Sequence, residues 1–311
     1  MRYALLFLYA ILSVSCQKEK TLTPQNMILG TWSSIDTTNQ FANKRGFEFF
    51  TDSIFEDKYG FHSEKCHFIS AENSKYGSNA YYIYFGTESK YTLSNDSLRL
   101  FNPATKKWSL CKVEKLTPDT LKIAPDTTHR YGGTFVKKVY ETDTIPDFDA
   151  VFLYSSPCFG ISPVVTLLVK NNGEVLFSGR YSVKHLGLNK SKISKEGFNR
   201  IQERFKRADY MNLEESYAHN VTDGMQCVCI YFIKNNKIVK TLRDCGAQGA
   251  NELMWAYLPL IRIGQLHDMK ELEVSADIAK KFNIDTNSTD VMINMDVREK
   301  FDFLSRLSEN L

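Results

Sequence analysis

The sequence predicts a mainly β protein with a second, α+β half, and three observations carry that reading. Residues 46–140 fall into short runs rich in aromatic and β-branched side chains, separated by turn dipeptides and without a helical period. Beyond residue 148, similar runs alternate with two stretches whose apolar residues recur at helical spacing. The composition, 43% hydrophobic and 24% charged, is that of ordinary globular domains, and 311 residues suffice for two of them at roughly 100–200 residues each.

In the first half the runs are 46–55, 81–85, 90–93, 97–101, 107–115, 120–123 and 133–140, with Asn95-Asp96, Asn102-Pro103 and Pro118-Asp119 as turns. Short strands at regular spacing predict an antiparallel barrel or sandwich over residues 27–141. Gly30 lets the chain pass tightly, and the Trp32 indole plugs the closed end. The aromatics Phe47, Phe49, Tyr81, Tyr82, Tyr84 and Phe85 either fill the core or line a pocket, with Trp32, Tyr82 and Tyr84 the candidate ligand contacts. The segments Ile28-Leu29-Gly30-Thr31-Trp32, Tyr91 to Leu100 and Leu116-Thr117-Pro118-Asp119-Thr120-Leu121 resemble the lipocalin-like domains of bacterial lipoproteins. Those domains open with Gly-x-Trp and close with a Leu-Thr-x-Asp-x-Leu hairpin, and the resemblance implies a lipocalin-like β-domain.

After a linker at 142–147, residues 148–265 read as strands at 151–155 and 164–170, an Asn171-Asn172-Gly173 turn and a strand at 174–178. Ser194 is placed to cap a helix carrying Phe198, Ile201 and Phe205. Strands at 227–233 and 238–242 flank an Asn235-Asn236 turn, and 250–263 reads as a closing helix. This order predicts an antiparallel sheet with two helices on one face. The tail, 266–311, holds an amphipathic terminal helix with Val297, Phe301, Leu304 and Leu307 on one side. Cys158-Phe159-Gly160-Ile161-Ser162-Pro163, Asn172-Gly173-Glu174-Val175 and Tyr217 with Val221-Thr222-Asp223 resemble a family of exported bacterial domains bearing the motif Cys-Phe-Gly-x-Cys-Pro. Ser162 stands where that family has its second cysteine; the resemblance implies a fold and no activity.

The start of the chain reads as an export signal. Met1-Arg2 is a short positive region, and the apolar run 3–12 is too short for a membrane-spanning helix, which takes roughly 20 residues. Leu12-Ser13-Val14-Ser15-Cys16 resembles the lipobox of bacterial lipoproteins, with Ser13 where leucine is usual. The resemblance implies a signal peptide at 1–15, lipid on Cys16 and a tether at 16–26, holding the protein to a membrane. The expected place is the outer membrane, facing the periplasm or the cell surface. The alternative is an ordinary secretory signal cut near Ser15.

Of seven cysteines, lipid takes Cys16, and Cys66, Cys111, Cys158, Cys227, Cys229 and Cys245 remain for disulfides in an oxidising compartment. Pairing within domains favours Cys66 with Cys111 and leaves the other four to pair among themselves. Cys227 and Cys229 share one face of a strand and so are poorly placed to bond each other. If Cys158 were a nucleophile it would need a base, and His185 and His219 are the nearest in sequence. A site near Cys158 and Asp223 is therefore the enzyme alternative. Asp223 is otherwise a turn residue or a ligand contact. The cysteine spacing is not that of a zinc knuckle, and phosphate-loop, nucleophile-elbow and dinucleotide signatures are absent, so neither a metal nor a cofactor is expected. A formal charge of +3 does not argue for nucleic acid, though 184–207 is locally basic. The expected role is non-catalytic binding or scaffolding at the envelope. A small apolar ligand requires an empty pocket, whereas a protein partner requires a filled barrel with an exposed apolar patch.

Overall fold

A computed structural model describes residues 23–36, 42–70, 72, 78–125, 131–222, 224–282, 292 and 295–309. Cys16 and Asp223 lie outside the described residues.

The first half is a closed antiparallel barrel. Its strands are β1 (Gly30–Ser34), β2 (Gly46–Phe49), β3 (Ile54–Asp57), β6 (Glu88–Ser94), β7 (Ser97–Asn102), β8 (Lys107–Leu116), β9 (Thr120–Ile123) and β10 (Gly133–Lys138), and they close as β1-β10-β9-β8-β7-β6-β3-β2. Between β3 and β6 the chain leaves the wall as a separate hairpin, β4 (His62–Ile69) and β5 (Asn79–Tyr84). The run 46–55, expected as one strand, is two. Thr51 Oγ1 accepts the Ser53 and Ile54 N–H groups and turns the chain between β2 and β3.

Alternation sends Phe47, Phe49, Phe55, Tyr91 and Phe135 inward, where their rings lie within 4.8–6.5 Å of one another. Helix α1 (Pro24–Ile28) sits at one end, and the fully buried Trp32 donates its indole N–H to the Ile28 carbonyl at 2.6 Å. Among the described residues, aromatic side chains thus occupy the barrel interior.

The second half is an eight-stranded sheet ordered β15-β17-β16-β11-β12-β13-β14-β18. Its members are β11 (Ala150–Ser155), β12 (Val164–Lys170), β13 (Glu174–Tyr181), β14 (Gly187–Lys192), β15 (Ser216–Tyr217), β16 (Cys227–Lys234), β17 (Lys237–Cys245) and β18 (Lys270–Glu271). Only the short β15 runs parallel to its neighbour, so the sheet is mixed. The Asn172-Gly173 turn forms as expected, because Gly173 sits at φ +87° and a Cβ there would meet the Ile193 carbonyl at 2.3 Å.

Helices α2 (Lys195–Arg207) and α3 (Asn251–Ile261) pack on one face, followed by the short α4 (Ile263–Leu266). The other face is also covered. Helix α6 (Val297–Glu309) lays Phe303, Leu304 and Leu307 on Phe152, Leu168, Leu176 and Leu188, with α5 (Ala276–Lys281) preceding it. Central strands such as β11 are therefore buried on both sides, which explains their unbroken apolar sequences. Among the described residues no helix is long and apolar enough to cross a membrane.

Candidate functional site at the domain junction

Helix α2 starts where Ser194 Oγ accepts the Gly197 N–H, and it buries Phe198 and Phe205 in the core of its own domain. Its other side carries Arg200, Arg204 and Arg207, at intervals of four and three, toward the barrel. On the barrel, Glu48 points outward between the inward Phe47 and Phe49, and Glu56 follows Phe55 in the same way. Arg204 Nη2 lies 2.5 Å from Glu56 Oε1, and Arg207 Nη1 donates to both Glu48 oxygens at 2.7 Å. Lys58 Nζ donates to both carboxylates at 2.6 Å.

Next to this network the loop before β2 grips α3. The Trp255 indole donates to the Lys44 carbonyl at 2.7 Å, Asn251 donates to the Asn43 carbonyl, and Lys44 Nζ reaches the Gly249 carbonyl.

Glu56, Glu48, Asp244 and Lys44 are shifted from their ordinary values. Burial alone would raise the Glu56 carboxyl, but Lys58 and Arg204 outweigh it and hold the group at about 2. Glu48 is likewise held below its ordinary value against burial, by Lys58 and Arg207. Asp244 goes the other way: burial raises it, although it accepts from the Gly249 N–H and the Tyr257 hydroxyl. Burial also lowers Lys44. Carboxylates of the barrel and cations of helix α2 meet here in pairs.

The β4–β5 hairpin spans the same junction further along. Asn79 accepts the Ser182 N–H and donates to the Val183 carbonyl, and Gln265 accepts the Tyr84 N–H and donates to the Tyr82 carbonyl. Between the hairpin, α2 and α3 lies a groove of about 320 Å³ lined by Tyr84, Phe85, Ile193, Ile201, Pro259, Leu260, Ile263 and Leu266, with Glu88, Arg200, Arg204 and His267 at its rim. A smaller cavity of about 80 Å³ lies beside it over the ion network. The groove is at the lower end of the range for sites that hold small organic ligands, roughly 300–1,000 Å³.

The structure divides the residues expected at a site. Trp32 is barrel core. Tyr82 is half-buried on the hairpin, and Tyr84 lines the groove with Arg262 5.6 Å above its ring. Cys227 and Cys245, directly opposite on β16 and β17, form a disulfide. The expected Cys66–Cys111 bond is not formed. Cys66 is exposed on the β4 hairpin, outside the barrel wall, while Cys111 on β8 turns into the barrel core. Cys158 and Cys229 are thiols, which corrects the expectation that all four cysteines of the second domain pair among themselves. Cys229 shares a strand face with Cys227 but stands opposite Arg243, out of line with Cys245, and burial raises its thiol. The Cys158 thiol donates to the Phe159 carbonyl at 3.6 Å. Among the described residues no group of three His, Cys, Asp or Glu side chains could hold a metal ion.

Sequence reasoning missed Glu48, Glu56, Lys58, Arg204 and Arg207. A carboxylate alternating with core aromatics on each of two strands was the available signal.

One comparison bears on this junction. Residues 149–264 match a domain of unknown function (DUF6438). No curated protein and no solved structure matches the chain. The DUF6438 domain runs from the start of β11 through α3, so it contributes the helical wall of the groove. The opposite wall comes from the barrel and its hairpin, outside the matched residues.

Proposed function

We propose that the protein is a lipid-anchored, non-catalytic binding protein of the cell envelope, with its binding site in the groove between the barrel and the DUF6438 domain. The observation that carries the binding reading is the contrast between the two places an apolar ligand could go. Among the described residues the barrel interior is occupied by its own rings, whereas the groove is an apolar recess beside a junction joined by ion pairs. The envelope address rests on the lipobox resemblance around Cys16, and with it go the lipocalin-like character of the barrel and the exported-family reading of Cys158-Phe159-Gly160.

Two measurements test this reading. Mass spectrometry of the protein from its native membranes is expected to find an acylated Cys16, and Cys16→Ser is expected to release the chain from the membrane fraction; an intact or unacylated amino terminus contradicts the anchor. The apolar fluorophore N-phenyl-1-naphthylamine is expected to bind and to be lost in Leu266→Glu, a substitution at an exposed position in the groove wall. Binding unchanged by that variant contradicts the groove.

The protein-facing alternative has two observations in its favour: aromatic side chains occupy the barrel interior, and Trp108 and Leu110 are 41% and 66% exposed on β8, with Phe101 5.3 Å from the Trp108 ring. Trp108→Ala/Leu110→Ala abolishes capture of an envelope partner if that face is the interface, and leaves fluorophore binding intact.

A further inference from the structure

A second site lies on the sheet face away from the groove. Val228, Ile230 and Leu242 belong to the core under α2 and α3, and alternation turns Cys227, Cys229, Arg243 and Cys245 to the opposite face. There β16 and β17 set Cys227 directly opposite Cys245 and join them in the disulfide, with Cys229 opposite Arg243 on the same face. The two bonded cysteines differ in access: Cys245 is fully buried, whereas Cys227 is partly exposed.

Arg243 is directed at this bond. Its side chain is exposed, and Nη2 donates to Cys227 Sγ at 3.9 Å. Among the described residues no carboxylate pairs with Arg243, so its charge has no counterion while the disulfide is closed. Opening the disulfide supplies one, because a thiolate on Cys227 stands where the guanidinium already reaches. Cys229 does not take that role, since burial raises its thiol despite Arg243 opposite it. The hairpin is also held by more than this bond. Its pairing runs on from Val228–Asp244 to Lys234–Lys237, and β11 and β15 pair with the outer sides of the two strands.

We infer that Cys227–Cys245 is an exchange-active disulfide that takes two electrons from a dithiol or from two monothiols, with Cys227 as the sulfur that meets the substrate and Arg243 as the cation that stabilises its thiolate. A substrate thiolate attacks Cys227 Sγ; the S–S bond breaks, and its electron pair leaves on Cys245, which takes a proton. A second substrate thiolate then attacks the substrate's sulfur in the mixed disulfide. The substrate departs as a disulfide, and Cys227 is released as a thiolate beside Arg243. The protein gains two electrons and one proton, and the other proton of the substrate thiols goes to solvent. Exposed charge pairs are weak, so Arg243 favours the open form by about fivefold.

The test equilibrates the full, folded chain with reduced and oxidised glutathione, and separately with a peptide carrying two cysteines, then alkylates it and maps the thiols by mass spectrometry. Cys227 and Cys245 are expected to become alkylated together while the far-ultraviolet circular dichroism stays that of the oxidised protein. In a Cys158→Ser/Cys229→Ser background, which removes the neighbouring thiols, Cys245→Ser is expected to hold glutathione on Cys227. Cys227→Ser in that background is expected to hold little on the buried Cys245. Arg243→Gln is expected to move the equilibrium about fivefold toward the disulfide with its urea midpoint unchanged, and added salt is expected to shrink that difference.

If the bond opens only when urea unfolds the chain, the disulfide is structural and the inference is refuted. If glutathione lodges on Cys245 and not on Cys227, the assigned order of attack is wrong. If Arg243→Gln leaves the equilibrium where it was, Arg243 does not stabilise the thiolate. Faster exchange with the peptide than with glutathione places the substrate among protein thiols, and the reverse places it among small ones. The groove, on the other sheet face, is untouched by any of these results.

Discussion

At Gly46 a Cβ would sit 2.4 Å from the Trp255 ring, and two residues earlier the Lys44 carbonyl accepts that same indole N–H. Gly46→Ala is therefore expected to push the ring off its bond and cost about 1–3 kcal/mol in urea unfolding; unchanged stability would mean that the indole does not fill this space. Glu56 is 2% exposed and holds Lys58 and Arg204. Glu56→Gln removes the buried carboxylate that Lys58 and Arg204 share, leaving Lys58 only Glu48, and is expected to cost roughly 3–5 kcal/mol, whereas Glu88→Gln, in an exposed pair with Arg200, should cost under about 1 kcal/mol. Equal effects from the two variants would contradict the junction's role. At this scale the sequence was readable where a residue acts through its neighbours. Trp32 is the barrel plug its Gly-x-Trp setting indicated, and its acceptor Ile28 is four residues away. Glu56 and Arg204 are 148 residues apart, and each alone looks like a solvated charge. The cysteines failed for the same reason, since only the fold shows that Cys66 leaves the barrel that Cys111 enters.

Among the elements, α6 carries the clearest prediction. It covers a second face of the DUF6438 sheet and buries Phe303, Leu304 and Leu307, each worth about 1.5–3 kcal/mol. Ending the chain before residue 297 is expected to lower the thermal midpoint and to raise binding of a hydrophobic dye, as Phe152, Leu168 and Leu176 become exposed. A truncated chain with the full-length midpoint would contradict that packing. The helix was legible because its apolar period is strong, although the face it covers was not. Strands β4 and β14 were not legible at all. Sequences such as His62-Ser63-Glu64-Lys65-Cys66 carry few β-formers, and they are strands because a hairpin partner and a sheet edge hold them. The two-strand break at Thr51 was hidden by the aromatic run on either side of it.

For the whole molecule, ion pairs and hydrogen bonds join the barrel to the second sheet. Calorimetry at neutral pH is expected to show a single unfolding transition. Glu56 sits at about 2 in the folded protein against an ordinary value of 4.5, so its contribution is complete above pH 4.5 and is lost as pH falls through about 2. Glu48, also held low, adds to this effect, while Asp244, raised by burial, opposes it. The transition is therefore expected to split into two in that acid window, with Glu56→Gln showing less pH dependence; a single transition throughout would show that the domains do not depend on these ion pairs. The barrel and the sheet with its helices were legible from strand and helix patterns. The groove was not, because its walls come from segments more than a hundred residues apart, Tyr84 and Phe85 on one side and Pro259 to Leu266 on the other. The central claim is that binding occurs between the domains and not inside the barrel, and methyl-resolved NMR with an apolar ligand tests it most directly. The account predicts shifts at Ile193, Ile201, Leu260, Ile263 and Leu266 with Leu98, Leu100, Leu121 and Ile123 unmoved; shifts confined to those four barrel residues would contradict it.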